Sequence, residues 1–287
     1  MCLLFVYINT APGPKGYHLV LINVRDEIYN RPTAKAMFWE KEPNVIGGRD
    51  LEPGREGGTW LAMNKNGKIS ALLNILQPDH ELSPNKKGRG FLVVDYVKNN
   101  QDGLSYLQEI CDHCDEYNGF LLVTLDLRKW TNDILLSYFT NGSNEKPTSL
   151  SSGIHAFGNS HPNKPWQKVT EGRQGFEKIV NEHPTIESRE KLIEELFELL
   201  MDDRCYPVDK QMKNQGFGKS ENFLQKLSAI FVYLPEYCYG SRCHTVIVVD
   251  GTGRVDYVER SLKDFTNAKE PDQWSEVRET FYLTSSG

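Results

Sequence analysis

The chain has 287 residues, of which 39% are hydrophobic and 25% are charged, a composition typical of a soluble globular protein. It contains no run of about eighteen apolar residues, which excludes a membrane-spanning helix, and its net charge of −6 without a basic tract argues against a nucleic-acid partner. The start MCLLFVYIN lacks a basic leader and a small-residue cleavage site, so we expect a cytosolic or organelle-associated protein that is not secreted.

The first half of the chain is predicted to be rich in β-strands. Short apolar or β-branched runs bounded by turn-forming residues occupy residues 2–9, 17–23, 58–64, 68–76 and 119–127. Between the third and fourth runs, the dipeptide Asn66-Gly67 predicts a two-residue hairpin, because it tolerates positive φ angles. The sequence DGTG at residues 250–253 predicts a second hairpin near the C-terminus.

Two helices are predicted from apolar residues at helical spacing, one over residues 103–117 and one over residues 188–203. A mobile loop is expected to follow the second helix at residues 207–222, where glycine and polar residues are frequent. Strands at both ends of the chain with helices between them favour one α+β domain that spans residues 1–287.

Cys2 is the first candidate for chemistry. If Met1 is removed, this residue carries both a thiol and a free α-amine, and the amine can act as the local base of an N-terminal nucleophile. The alternative is that Cys2 is a small buried residue at the start of a core strand. Six cysteines spread over a long chain predict reduced thiols rather than a disulfide framework.

A cluster of three charges, Arg25, Asp26 and Glu27, stands where the second predicted strand ends. Beside an N-terminal cysteine, an acidic residue could orient the α-amine and an arginine could lower the pKa of the thiol. An ion-paired turn is the alternative, since structural ion pairs also concentrate charges.

Two asparagines stand at places where an amide could donate to a developing oxyanion. Asn74 lies in the strand-like run ALLNIL, and Asn159 lies in the segment HAFGNSHPNKPW. The neighbours of Asn159 also permit the interpretation that it is simply a turn residue.

Several cysteines, histidines and arginines are candidate ligands of zinc or haem. The groups Cys111-x-His113-Cys114 and Cys238-x4-Cys243-His244 do not predict zinc, because the first lies in a predicted helix. Cysteine or histidine could ligate a haem iron, and arginine could clamp its carboxylates. The candidate axial ligands of the iron are Cys2, His18, His155 and His161. The candidate clamps of the haem carboxylates are Arg25, Arg31, Arg89 and Arg242. The aromatic residues that could cover a porphyrin face are Trp60, Phe157 and Trp166.

Several motifs in the same order resemble one family over nearly the whole chain. They are Met1-Cys2, VRDEIYNRP, EGGTWLAMNKNGKISALLN, KGRGFLV, YNGFLLVTLDL, GNSHPNKPWQKV and YGSRCHTVIVVDGTGRVDYVERS. On these motifs the chain resembles the transport-and-Golgi-organisation protein 2 family, also called the NRDE family.

The resemblance implies a fold like that of the N-terminal-nucleophile hydrolases, an αββα sandwich of two mainly antiparallel sheets between helix layers. It also implies cysteine-nucleophile amidase positions: Cys2 as nucleophile, Asp26 as orienting acid, Asn74 and Asn159 as oxyanion donors, and Arg242 as a partner of the base. Family members nonetheless look like haem-trafficking factors, with links to acyl-CoA and lipid homeostasis, mitochondria and the Golgi.

One departure from the family pattern concerns its Asn-Arg-Asp-Glu motif. Here the motif reads Val24-Arg25-Asp26-Glu27, and the asparagine stands one position earlier, at Asn23. A shift of one residue in a strand turns a side chain to the opposite face, so the amide is expected to leave its usual side. This weakens the hydrolase interpretation and leaves the charged residues available to hold a ligand.

The sequence therefore favours a haem chaperone without enzymatic activity, which moves haem from membranes or storage sites to acceptor proteins and has no covalent cofactor or resident metal. The predicted ligand-binding residues are Arg25, Asp26, Trp60, His161 and Trp166. A Cys2-dependent amide hydrolase and a protein that binds acyl-CoA or membrane lipid are the alternatives. The expected location is the cytosol, with association with mitochondria or the Golgi.

Overall fold

The structure is a computed structural model that describes residues 2–130, 133–143 and 145–284. Within these ranges the strands form two antiparallel sheets. Sheet A has the spatial order β10 (Gly153–Phe157), β1 (Cys2–Ile8), β2 (Tyr17–Ile28), β12 (Tyr239–Asp250), β13 (Arg254–Leu262) and β14 (Trp274–Tyr282), with β11 (Tyr233–Leu234) paired to β12. Sheet B follows chain order as β3 (Thr33–Trp39), β4 (Glu42–Asp50), β5 (Leu61–Asn64), β6 (Lys68–Asn74), β7 (Phe120–Asp126), β8 (Leu135–Thr140) and β9 (Thr148–Leu150).

Helices cover the outer face of each sheet. They are α1 (Gly90–Lys98), α2 (Gly103–Asp112), α3 (Gln167–Glu182), α4 (Arg189–Leu200), α5 (Lys210–Gln215) and α6 (Glu221–Leu227). One apolar cluster fills the space between the two sheets, a second joins sheet A to helices α3 to α6, and a third joins sheet B to helices α1 and α2. These four layers confirm the αββα sandwich that the family resemblance implies.

Strand β2 has two buried faces, which is why it reads as a nearly continuous apolar run. Leu19 and Leu21 point between the sheets, whereas Val20, Ile22 and Val24 pack under the helices of sheet A. This alternation is the period of two that a pleated strand imposes. It places Val24 and the neighbouring Asn23 on opposite faces, as the shifted motif predicts.

The predicted strands and both predicted hairpins are present. Strands β5 and β6 pair through the Asn66-Gly67 turn, where Gly67 has a φ of 96°. Strands β12 and β13 pair through residues 250–253, where Gly253 has a φ of 80°. Both turns therefore use glycine in a conformation that other residues rarely adopt.

The helices are only partly those expected from sequence. Helices α2 and α4 confirm the two predictions, but the expected mobile loop at residues 207–222 contains helix α5, whose N-terminus is capped by the Asp209 carboxylate accepting from the Met212 N–H. Helix α1 was not predicted because its sequence GFLVVDYVK is rich in β-branched valine. No helix in the described parts of the chain is both long and apolar enough to cross a bilayer.

Helix α3 was also missed, because Gly172 and Gly175 lower its helix propensity. The first glycine has a packing reason: a Cβ atom added at Gly172 would lie 2.5 Å from Cζ of Phe5, whose ring is fully buried on strand β1. Glycine therefore lets helix α3 lie close against the strand that carries Cys2.

We expect Gly172→Ala to destabilise the protein by about 1–2 kcal/mol, because overpacking against the buried Phe5 ring outweighs the helix propensity gained. Gly175→Ala is the matched control, since its new methyl group would meet only the end of the Leu199 side chain, at 2.9 Å. Urea unfolding of both variants measures the difference. Equal changes in the free energy of unfolding would contradict this account of the helix position.

Candidate functional site

The site begins with three residues that lie side by side on the central strands of sheet A. Cys2 on β1 is paired with Arg25 on β2, and Arg25 is paired on its other side with Cys243 on β12. Cys2 and Cys243 both belong to the cluster between the sheets. Burial raises the pKa of the Cys2 thiol, and the Asp26 charge adds to this while Arg25 opposes it. The thiol is therefore protonated at neutral pH.

Arg25 is a charged residue with only 4% of its surface exposed. Its guanidinium carbon lies 4.1 Å from the centroid of a Trp60 ring, and Nη1 donates a hydrogen bond to Thr33 Oγ1 at 3.0 Å. Nη2 is 3.9 Å from Glu27 Oε2, a long ion pair. The aromatic face and these polar contacts offset part of the cost of burying the charge.

Glycine fixes the position of the Trp60 ring. A Cβ atom at Gly48 would lie 2.4 Å from Cη2 of Trp60, so a side chain at this place on strand β4 would displace the indole. Sheet B thus supplies the aromatic platform on which the arginine of sheet A lies. This contact joins the two sheets at the site.

Asp26 is buried beside Arg25 but points to the other side of β2. Its Oδ1 accepts a hydrogen bond from Ser241 Oγ at 2.6 Å. Burial raises the pKa of the Asp26 carboxyl, although the buried Lys168 ammonium and the Ser241 hydroxyl oppose this. Lys168 was not singled out from the sequence; its Nζ donates to the main-chain oxygens of Leu227 and Ala229 at 2.9 and 3.1 Å.

A cleft of about 320 Å³ opens beside these residues. Of the residues proposed from the sequence, it is lined by Cys2, Arg25, Asp26, Trp60 and Asn74, and by the candidate clamps Arg31 and Arg89. Arg31 and Arg89 stand on its rim with three more cations, Arg55, Lys86 and Lys87. Phe91, which is 42% exposed, lies among them. The structure thus gathers most of the predicted nucleophile and ligand residues in one polar, cationic cleft.

Asn159 lies next to Asn74 but outside the lining of the cleft. It is fully buried, and its Nδ2 donates to the main-chain oxygen of Asn74 at 2.8 Å. Its own main-chain oxygen accepts hydrogen bonds from Gln215 and Leu76. The Asn159 amide therefore holds the end of strand β6 in place through one of its two N–H groups.

Arg242 also lies outside the cleft lining. It occupies a bulge of β12 between Ser241 and Cys243, and its Nη1 donates to the main-chain oxygens of Ile28 and Arg31, both at 2.8 Å. Arg242 thus fixes the chain where it leaves strand β2, next to the charge cluster.

His161 and Trp166 are not brought to the cleft. His161 Nε2 lies 3.2 Å from Glu145 Oε2 and 3.1 Å from Ser143 Oγ. Trp166 packs under the helices of sheet A, with Nε1 donating to Gln215 Oε1 at 2.9 Å. Their predicted roles in binding a ligand stay predictions, with these contacts as their surroundings in the structure.

Met1, whose removal the hydrolase interpretation requires, lies outside the described residues, which begin at Cys2. Among the described residues, no group of three or more His, Cys, Asp or Glu side chains is placed to hold a metal ion. Of the rim cations, Arg31 and Arg89 were named from the sequence as candidate clamps, whereas Arg55, Lys86 and Lys87 were not, because Arg55 lies in a separate loop that only the tertiary fold brings to the others.

Comparison with known proteins gives consistent matches. The family model described as Transport and Golgi organisation 2 matches residues 1–264. The Transport and Golgi organization protein 2 homologs of Bos taurus and Homo sapiens are 35% and 34% identical over 286 residues, which is 99% of this chain and 100% of each relative. The Transport and Golgi organization protein 2 of Drosophila melanogaster is 34% identical over 269 residues, or 91% of this chain and 92% of the relative.

Solved structures with a similar fold include two hydrolases. The Caenorhabditis elegans ortholog of N-acylethanolamine-hydrolyzing acid amidase has a TM-score of 0.45 and 12% identity, covering 86% of this chain and 92% of its own. A mutant conjugated bile acid hydrolase from Clostridium perfringens has a TM-score of 0.45 and 8% identity, covering 99% of this chain and 97% of its own.

We expect Cys2 in the folded protein to react with iodoacetamide at least about tenfold more slowly than Cys205 at pH 7.5, because burial raises the pKa of the Cys2 thiol and so lowers its thiolate fraction. Peptide mass spectrometry after timed alkylation measures both rates, and the two should converge in urea. A Cys2 thiol that reacts as fast as Cys205 in the folded protein would contradict the protonated, buried state.

Proposed function

The chain belongs to the Transport and Golgi organisation 2 family, and from that premise we propose that it binds haem transiently in the cleft beside Cys2 and delivers it to acceptor proteins. The haem comes from membranes or storage sites, and the exchange takes place in the cytosol, near mitochondria or the Golgi. Haem is cargo in this proposal and is neither altered nor retained.

One juxtaposition carries the proposal: a sulfur ligand, a buried cation and a flat aromatic ring share the cleft. Of the four candidate axial ligands, Cys2 is the one whose side chain lies in the cleft lining among the described residues. Cysteine sulfur is an established haem ligand. Arg25, stacked on the Trp60 ring, lies beside it and brings positive charge and a flat side chain to this end of the cleft.

The same geometry favours release. The raised pKa of the Cys2 thiol means that iron must displace a proton before the sulfur can bind it, which lowers the apparent affinity for haem at neutral pH. A volume of about 320 Å³ is at the small end of ligand sites, so the cleft takes one edge of the macrocycle and leaves the rest accessible to an acceptor. Weak ligation and partial burial both speed dissociation.

A Cys2-dependent amide hydrolase is the second candidate, favoured by the presence of Cys2, Arg25 and Asn74 in one cleft. The thiolate would add to an amide carbonyl, the amine would leave with a proton, and water would then hydrolyse the thioester. The protonated thiol and the use of the Asn159 amide within the protein count against this candidate. It also requires the removal of Met1.

Haem titration tests the proposal. We expect a shift of the Soret band on binding, weaker binding and a different band position for Cys2→Ala, and weaker binding for Arg25→Lys, since the shorter ammonium cannot make bidentate contacts. His161→Ala, outside the cleft, should bind like the unmodified protein. If the unmodified protein gives no spectral change, or if His161→Ala alone abolishes binding, this site assignment is wrong.

The hydrolase candidate is tested separately. It requires that intact-mass analysis finds a chain starting at Cys2, and that Cys2→Ala abolishes amine release from a panel of acyl amides. A retained Met1, or no amine release by the unmodified protein, would exclude it. A separate measurement of the melting temperature tests the third candidate, a lipid-related ligand in this cleft. Thermal stabilisation of the protein by acyl-CoA would support it.

A further inference from the structure

One wall of the cleft consists of three cations to which the described part of the chain offers no carboxylate in ion-pair contact. Arg55 Nη2 donates to the main-chain oxygen of Lys86 at 3.3 Å, Lys86 Nζ to that of Tyr117 at 3.2 Å, and Arg89 Nη1 to that of Gly119 at 2.6 Å. Within the described ranges, none of the three comes within 4.0 Å of a carboxylate oxygen. The wall therefore presents positive charge that the protein does not neutralise.

The other rim cations are different. Arg31 makes two hydrogen bonds to the Asp50 carboxylate, at 3.0 and 2.6 Å. Lys87 Nζ lies 2.6 Å from Glu116 Oε2. The rim thus separates into cations paired with acids and the unpaired set of Arg55, Lys86 and Arg89, which we call the cationic wall.

Arg89 has the least favourable surroundings for a charge. Burial lowers its pKa to about 10, and the charges of Arg31 and Arg55 add to this, while Glu27 opposes it. The guanidinium remains charged at neutral pH, so the protein keeps a half-buried cation in the cleft. A bound anion would relieve both the burial cost and the repulsion.

Glycines bring the wall together. A Cβ atom at Gly88 would lie 2.7 Å from Nη1 of Arg55, so the missing side chain leaves room for that guanidinium. A Cβ atom at Gly90 would lie 3.1 Å from Cα of Gly58, which shows how closely the loop of Arg55 approaches the start of helix α1. That helix begins at Gly90, no side chain caps it, and its positive end adds to the wall.

We infer that the cationic wall of Arg55, Lys86 and Arg89 binds the carboxylates of the ligand and so fixes which edge of the ligand enters the cleft. The inference rests on the proposed function, in which the two propionates of haem are those carboxylates. Two planar guanidinium groups and one ammonium suit two adjacent carboxylates, because each guanidinium can donate two parallel hydrogen bonds. Arg89 and Cys2 both line the cleft, so one ligand can reach both.

The experiment compares haem with haem dimethyl ester, in which both carboxylates are esterified, in dilute detergent. We expect the unmodified protein to bind haem at least about tenfold more tightly than the diester. Arg55→Gln and Arg89→Gln should each lose most of this preference by weakening haem binding while leaving diester binding unchanged. Gly88→Ala should reduce the preference as well, because its methyl group displaces Arg55.

Lys87→Gln is the matched control, since it removes a cation from the same loop whose charge is already paired. Its preference for haem should be unchanged, and circular dichroism confirms that each variant is folded.

Haem binding with no preference over the diester, or a preference that survives in Arg55→Gln and Arg89→Gln, overturns the inference and leaves the proposed function standing. Binding of neither compound overturns both. Displacement of haem by inorganic phosphate far more strongly than by acetate would overturn the assignment to carboxylates.

Discussion

The burial of the Arg25 guanidinium against the Trp60 ring is the constraint on which the site depends. The Arg25 side chain is 4% exposed, so its charge needs an aromatic face and a hydrogen-bond acceptor. Sheet B supplies the Trp60 ring and the Thr33 hydroxyl, while Arg25 itself lies on sheet A between two cysteines. The contact therefore joins the two sheets where the cleft opens. Gly48 contributes by leaving space for the indole, so the platform is set by backbone geometry as well as by charge.

The surroundings of this contact favour ligand binding over amide hydrolysis. Burial keeps the Cys2 thiol protonated, and the Asp26 carboxyl points to the other side of the strand, where it bonds to Ser241. The free positive charge lies instead on the cationic wall, which faces the same cleft. The same fold can serve either use, because a fold does not fix its function.

Much of the sandwich could be predicted from local patterns, and much of the site could not. The Asn66-Gly67 turn and the run of apolar residues in β2 carry their structure in their own sequence. Helix α1 could not be recognised because its valines are typical of a strand, and helix α5 because its six residues include one apolar side chain, Met212, too few for a helical pattern. The proximity of Cys2 and Arg25 was predicted from the chemistry of an N-terminal nucleophile and from the family resemblance, not from a local structural pattern. The joining of Arg55 to Lys86 depends on tertiary contacts between glycines, which no local pattern contains.

The central claim is that the cleft holds haem long enough to carry it and weakly enough to release it. Stopped-flow transfer from the haem-loaded protein to excess apomyoglobin tests this most directly. We predict that haem stays with the protein through gel filtration and then moves to apomyoglobin completely. The transfer rate should not depend on acceptor concentration once dissociation of haem is limiting. The Cys2→Ala variant should transfer haem faster than the unmodified protein. Loss of haem during gel filtration, or retention of haem in the presence of the acceptor, would contradict the account.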